Sequence, residues 1–332
     1  MIRLACLTQK TTRLFGRIAW RGRLWSAVLA AGLLAGAVSS ESAVLSEKAP
    51  ANADAWLEAK PACVFPLACE AAPTDAAAFI TALSAGLGRL AVLPPGGSVI
   101  RMESGAYPSL GRLAIDLSNS SEDDVHKPPK VNWHFTPKAF VKSARFEVSA
   151  QPLLIHGAKL QYDLTATDAE LQMAQDRAGR PLLMLMGTPH GHLAATAGRE
   201  AIQALCLAAA KRFAQKYHFS VQDVAVDLTT PSDRDVEVRV GVLLAGELGG
   251  SLHFTGRFNV ADDLTATASN LSCEGDGAGG LIIAGLLKGG LMYYDGKTKP
   301  LVVFPFGGLH LRDVKFHMGE SLEIAADFGD KN

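Results

Sequence analysis

The sequence has few aromatic residues, few cysteines and little net charge. Aromatic residues make up 7% of the 332 positions, charged residues make up 20%, and five residues are cysteines. A hydrophobic fraction of 48% excludes intrinsic disorder for most of the chain, because it supplies enough apolar surface to offset the entropy of ordering. We therefore expect a folded protein with one large domain or two ordinary ones.

Acidic residues are absent from the first 40 positions, which hold six basic residues. An apolar stretch runs from Leu24 to Val38, and the small residues Ala37 and Ser39 suit cleavage after Ser39. This order predicts a signal peptide over residues 1–39 and a mature chain exported to the periplasm or cell envelope. The alternative is an uncleaved membrane anchor, although the apolar stretch is shorter than the roughly 20 residues of a spanning helix.

The remainder of the chain is acidic. Six of the 32 basic residues lie in the first 40 positions, which leaves 26 basic residues against 33 acidic ones, a balance of −7. Such a body has no general electrostatic attraction for nucleic acid, so we expect no nucleic-acid partner.

Four cysteines remain after the predicted cleavage, an even number that permits disulfides in an exported chain. Cys63 and Cys69 are close enough in sequence to close a small loop. Cys206 lies in an apolar helical pattern, where a small buried hydrophobe is an equally good interpretation.

Residues 40–105 form an Ala/Pro-rich, mostly irregular segment with one predicted helix, TDAAAFITALSAGLGRL, capped by Thr74 or Asp75. From residue 106 to 330 the pattern is dominated by alternation of apolar and polar residues, which is typical of antiparallel strands with one covered face. The alternating sets include Ala144, Phe146 and Val148, and the run from Ala158 to Ala166. After Ala166 the alternation slips by one residue, as a β-bulge or sharp bend would produce.

Two further helices are predicted within this β-rich region. Arg199–Tyr217 places its apolar residues on one stripe, whereas GLIIAGLLKGGLMYY is apolar on nearly all sides, which predicts a buried helix. The expected fold class is α+β, with a strongly curved antiparallel sheet wrapped around one or two apolar helices.

Sequence motifs for catalysis are scarce. GDGAGG, from Gly275 to Gly280, fits G-x-G-x-x-G, but the alternating strand before it favours a Gly-rich bend over a dinucleotide site. His190 and His192 are the weak metal-ligand pair, with no third ligand indicated by spacing. No G-x-S-x-G, P-loop or Ser-x-x-Lys motif occurs, so we predict no catalytic residue and no cofactor.

The C-terminal half resembles small bacterial envelope proteins of the tubular lipid-binding (TULIP) superfamily. The resemblance lies in LTATASNLSCEGDGAGGLIIAGLLKGGLMYYDGKTKPLVVFP and GGLHLRDVKFHMGESLEIAADFG, and extends loosely over residues 140–330. It implies a long curved antiparallel sheet around a helix, with lipid held in the apolar channel between them.

These observations predict a non-enzymatic envelope protein that binds a lipid or other hydrophobic small molecule, with a membrane surface as a further partner. We expect the apolar lining to come from one strand and from the two predicted helices of this region. Its residues are Leu160, Tyr162, Leu164, Ile202, Leu205, Phe213, Ile283 and Leu287. The alternative is a structural or interaction scaffold with a solid core. A third class is a hydrolase or metal-dependent enzyme whose site is assembled in space.

Overall fold

A computed structural model describes residues 64–96, 98–122, 140–176, 178–216, 219–246, 249–261, 265–300 and 310–329. Most of these residues lie in strands, and three helices accompany them. The coarse prediction of a strand-dominated α+β protein is therefore confirmed. The predicted signal peptide over residues 1–39 and Cys63, half of the predicted disulfide, lie outside the described residues.

The larger sheet has eleven strands: β1 Val64–Pro66, β2 Ala91–Val92, β3 Ile100–Ala106, β4 Ser109–Asp116, β5 Ser121–Glu122, β6 Phe140–Ile155, β7 Ala158–Gln175, β8 Pro181–Gly187, β9 His190–Gly198, β15 His310–Met318 and β16 Ser321–Gly329. Its main order is β15-β16-β9-β7-β6-β4-β3, and β6 pairs in parallel with β4 and β5. β6 pairs with β7 along one edge. The other edge of β7 has two partners, since β9 pairs with its first half and β8 with its last residues.

The smaller sheet is an antiparallel meander of five strands: β10 Ser220–Ser232, β11 Asp235–Ala245, β12 Gly250–Val260, β13 Thr265–Asp276 and β14 Thr298–Pro300. Three helices connect or flank the strands: α1 Ala76–Leu87, α2 Arg199–Lys216 and α3 Gly277–Tyr294. α2 links the two sheets, and α3 follows β13 without an intervening loop.

The predicted slip in β7 occurs where Asp168 takes φ +47°. Ala166 and Ala169 are both buried, so the inward-facing set changes parity between them. β6 changes parity at the same level: Ser143 is buried and Ala144 is exposed, while the register between the strands is unaltered. The expectation that Ala144 faces inward was therefore wrong, because the bend is shared by both strands.

α1 begins at one of the two predicted caps. The carboxylate of Asp75 accepts a hydrogen bond from the Ala78 amide at 2.9 Å, which satisfies a donor that the first helical turn leaves free. Phe79, Leu83 and Leu87 form its buried face. This face packs on β1 and β3. Residues 64–106 therefore supply three strands of the larger sheet and a helix that packs on it.

Two large apolar cores lie along the larger sheet, besides a small cluster of Ala174, Leu182 and Met184 between β7 and β8. The α1 core joins α1 to β3, β4, β6 and the middle of β7, whereas the α2 core joins α2 to both sheets and to α3. β16 contributes to both: Ile324 and Ala326 belong to the α2 core, and Phe328 belongs to the α1 core. Within the described ranges, no helix is long and apolar enough to span a bilayer.

Candidate functional site

Five of the eight residues predicted to line a channel meet in the α2 core. They come from β7, α2 and α3 and are between 1% and 6% exposed: Leu160, Ile202, Leu205, Ile283 and Leu287. Tyr162 and Leu164 instead belong to the α1 core. Phe213 lies on α2, but its side chain is outside the described part of the structure. The prediction therefore combined residues from two separate cores.

α2 is amphipathic in the expected sense. Ile202, Leu205 and Cys206 face the α2 core, where they contact residues of β7, β9 and β10. Among the side chains of the helix that the structure describes, the exposed ones are polar or charged: Arg199, Glu200, Gln203, Lys211 and Arg212. The helical spacing of the apolar residues thus gave the correct buried side.

The buried polar side chains of the described residues lie away from α2, α3 and the smaller sheet. They are Ser120, Ser143, Gln172, Asp176 and Thr188, all on the larger sheet or its connecting loops. Burial raises the pKa of the Cys206 thiol to about 11 and, together with the nearby Glu274 charge, that of Cys273 to about 11. Both thiols are therefore protonated and weakly reactive at neutral pH.

The GDGAGG motif is explained by close backbone packing. Gly277 takes φ +74° at the junction of β13 and α3, as a strand-to-helix bend requires. A Cβ on Gly275 would lie 2.1 Å from the carbonyl oxygen of Gly280, and a Cβ on Gly280 would lie 2.3 Å from that of Ser251. Glycine at these positions lets the first turn of α3 press against β12 and β13.

The outer side of α3 differs from the expectation of a helix buried on all sides. Its residues Leu281, Ile282, Leu286, Met292 and Tyr293 are 50–68% exposed and constitute the outer α3 face. They are five of the eight large hydrophobic residues exposed in the described structure. The prediction of an all-round buried helix was wrong, because apolar composition alone does not reveal whether neighbours cover each side.

His190 and His192 do not converge on a metal site with other ligands. The Nδ1 atom of His192 lies 2.7 Å from Oδ1 of Asp327, across the pairing of β9 with β16. His190 precedes it by two residues on an exposed part of β9. Among the described residues, no cluster of three or more His, Cys, Asp or Glu side chains is arranged to hold a metal ion.

Sequence spacing gave no signal for a Ser–His–Asp cluster at the start of α3. Ser251 Oγ lies 3.1 Å from His253 Nε2, which lies 3.4 Å from Asp276 Oδ2. Pairing of β12 with β13 brings Asp276 opposite Ser251. Both contacts use the same imidazole nitrogen, whereas a proton relay needs the acid and the serine on different nitrogens. The exposed cluster therefore lacks the geometry of an activated nucleophile.

The strongest electrostatic arrangement is at the turn between β10 and β11. Asp235 accepts hydrogen bonds from Arg257 at 3.2 Å, Asn259 at 3.0 Å and Ser232 at 2.7 Å. These bonds, with Arg257 contributing most, lower the pKa of the Asp235 carboxyl to about 2. These bonds thereby fix the turn to β12, the strand that pairs with β11.

We expect Asp235→Asn to lower the free energy of unfolding at neutral pH by about 1–2 kcal/mol, given about 1.4 kcal/mol for each unit of pKa shift. The folded-state pKa is depressed, so this contribution is complete above about pH 4 and disappears as the pH falls toward about 2. Urea denaturation from pH 7 to pH 2 measures it. Glu237→Gln, which removes an exposed contact to Arg257 at 3.8 Å, serves as the control with little effect. A pH-independent difference between the wild type and Asp235→Asn would contradict the prediction.

Comparisons with known proteins give no relative. No protein-family model matches the chain, and no curated protein or solved structure matches it either. The resemblance to TULIP proteins therefore rests on the residue pattern alone.

Proposed function

We propose that this chain is an exported, non-catalytic protein of the cell envelope that binds a lipid-like hydrophobic ligand within the α2 core. The observation that carries this proposal is the composition of that core: it draws apolar residues from two sheets and two helices, and no buried polar side chain of the described structure lies on α2, α3 or the smaller sheet. An alkyl chain needs such surroundings, since it has no polar atom to satisfy.

The meeting of the two sheets supports an enclosed interior. The Phe316 amide of β15 donates to the Asp233 carbonyl at 2.9 Å, and the Met318 amide donates to the Thr230 hydroxyl at 2.9 Å. α2 contacts strands on both sides of this junction. These contacts support an arrangement in which the strands curve around α2, as the TULIP resemblance implies.

Ligand entry requires side chains to move, because the five lining residues are at most 6% exposed. α3 contributes few bulky side chains to this core. Its buried residues are Gly279, Gly280, Ile283, Ala284 and Leu287, three of which are glycine or alanine. We therefore infer that the ligand enters between α3 and α2.

The test is solvent extraction of the purified protein, with mass spectrometry of the extract. We expect about one lipid-like molecule for each chain, recovered from the wild type and from Leu286→Trp, whose new ring lies on the exposed side of α3. Ile202→Trp adds similar bulk inside the α2 core and should reduce the recovered ligand several-fold while the protein still melts cooperatively. Equal recovery from Ile202→Trp and Leu286→Trp would contradict a ligand site in this core.

The second candidate function is a structural scaffold with a solid interior. Near-complete burial of Leu160, Ile202 and Leu205 favours it, because a packed core has the same apolar composition as a lipid channel. Extracts that stay empty, even after incubation with envelope lipids, would overturn the lipid proposal and support the scaffold.

A further inference from the structure

The outer α3 face is continuous along the helix. Leu281, Ile282 and Leu286 lie within its first ten residues, and Met292 and Tyr293 lie one to two turns beyond. Between them only Gly285, Lys288 and Gly289 are exposed. The opposite side of the helix is buried in the α2 core. Both the exposed and the buried sides of α3 therefore carry apolar side chains.

Among the helical side chains that the structure describes, large exposed hydrophobic residues occur on α3 alone. The exposed positions of α2 carry charged or polar side chains, and those of α1 are small: Ala77, Ala78, Thr81 and Ala85. A contiguous exposed apolar patch on a folded protein usually marks an interaction surface, because water is a poor solvent for it. The composition of the outer α3 face therefore requires a partner that is itself apolar.

The charges around the face indicate the chemistry of that partner. Lys288 is the sole charged residue within α3 and is exposed, and Lys297 places its Nζ atom 3.0 Å from the centroid of the Tyr293 ring. Two acids flank α3, and their contacts are with the smaller sheet. Asp295 accepts a hydrogen bond from the Leu271 amide of β13, and Asp276 contacts His253 of β12. Lysines at the edge of an apolar face, with a tyrosine at one end, match the headgroup region of an anionic bilayer.

We propose that the outer α3 face docks the protein on the surface of a bilayer that contains anionic lipid. The helix lies in the plane of the interface, its apolar side chains reach about 5–10 Å into the acyl boundary, and Lys288 and Lys297 meet lipid phosphates. This docking is independent of whether the α2 core holds a ligand, since it uses the opposite side of the helix.

A second copy of the chain is the competing occupant. Gly285 and Gly289 are spaced for close approach of another helix, and among the described residues no atom beyond their own helix backbone lies within 4 Å of a Cβ built on either. However, one helix face is smaller than the roughly 800 Å² that each partner of a stable complex in water usually buries. A symmetric pair would also bring two copies of Lys288 toward each other. Both arguments favour the bilayer.

The experiment uses the full chain and vesicles of phosphatidylcholine with or without about 30% phosphatidylglycerol. We expect flotation with the anionic vesicles, at least tenfold weaker affinity for Leu286→Glu, and about fivefold weaker affinity for Lys288→Glu. Leu243→Glu is the matched control: Leu243 is exposed on β11, while its neighbour Leu244 is buried in the α2 core, so Leu243 faces away from that core. Because both leucines are exposed, neither leucine variant should lower the melting temperature.

Site-specific insertion is measured with added tryptophans. Quenching by lipids brominated on their acyl chains should increase for Tyr293→Trp over the parent chain, and should not increase for Leu243→Trp. Equal affinity of Leu286→Glu and the wild type, or equal quenching at positions 293 and 243, would overturn the proposal. A wild type that is dimeric in solution, becomes monomeric in Leu286→Glu and ignores vesicles would assign the face to a second copy instead. Ligand extraction from Leu286→Glu reports separately on the interior, so failure of either proposal is recognised without the other.

Discussion

Gly280→Ala should destabilise the protein by about 4 kcal/mol or more, a loss at the extreme of the range for single substitutions. The added Cβ would lie 2.3 Å from the Ser251 carbonyl oxygen, and the nearby atoms belong to backbone on both sides. A flexible side chain could rotate away, but here the first turn of α3 must separate from β12. Urea denaturation followed by circular dichroism measures the loss.

Gly289→Ala is the matched control for this prediction. Gly289 lies in the same helix, and an added Cβ there would have no described atom beyond its own helix backbone within 4 Å, so only helix propensity changes. We expect a gain of about 0.5–1 kcal/mol, because alanine loses less backbone entropy than glycine in a helix. If the two substitutions had the same effect, close backbone packing would not be the reason for the Gly-rich junction.

Local structure was predictable where a single segment determines it. The three predicted helices are present, α1 begins at Asp75, one of the two predicted caps, and the Gly-rich stretch from Gly275 to Gly280 is the predicted strand-to-helix bend. These features depend on periodicity, capping and turn residues within some 20 positions. Their physical causes are local, so one sequence contains them.

Long-range partners were not predictable from the same patterns. Alternation identifies a strand but does not identify its neighbour, so neither the parallel pairing of β4 with β6 nor the antiparallel pairing of β16 with β9 had a signal. The same limit explains the candidate site. Leu160 and Leu164 share one face of β7, yet they belong to different cores because α2 covers one end of the strand and α1 packs toward its middle.

Leu164→Arg distinguishes these two cores and should prevent folding. Leu164 is 0% exposed in the α1 core, beside Val148 of β6 and Leu193 of β9, neither of which can pair with a guanidinium. An unpaired buried charge costs at least about 4 kcal/mol, which is a large part of the stability of an ordinary domain. Gln161→Arg, on the exposed face of the same strand, should change the free energy of unfolding by less than about 0.5 kcal/mol. Thermal melting of both variants gives the comparison. A Leu164→Arg protein that folds with near-normal stability would mean that water or ligand reaches this position, and that the predicted channel extends from the α2 core into the α1 core.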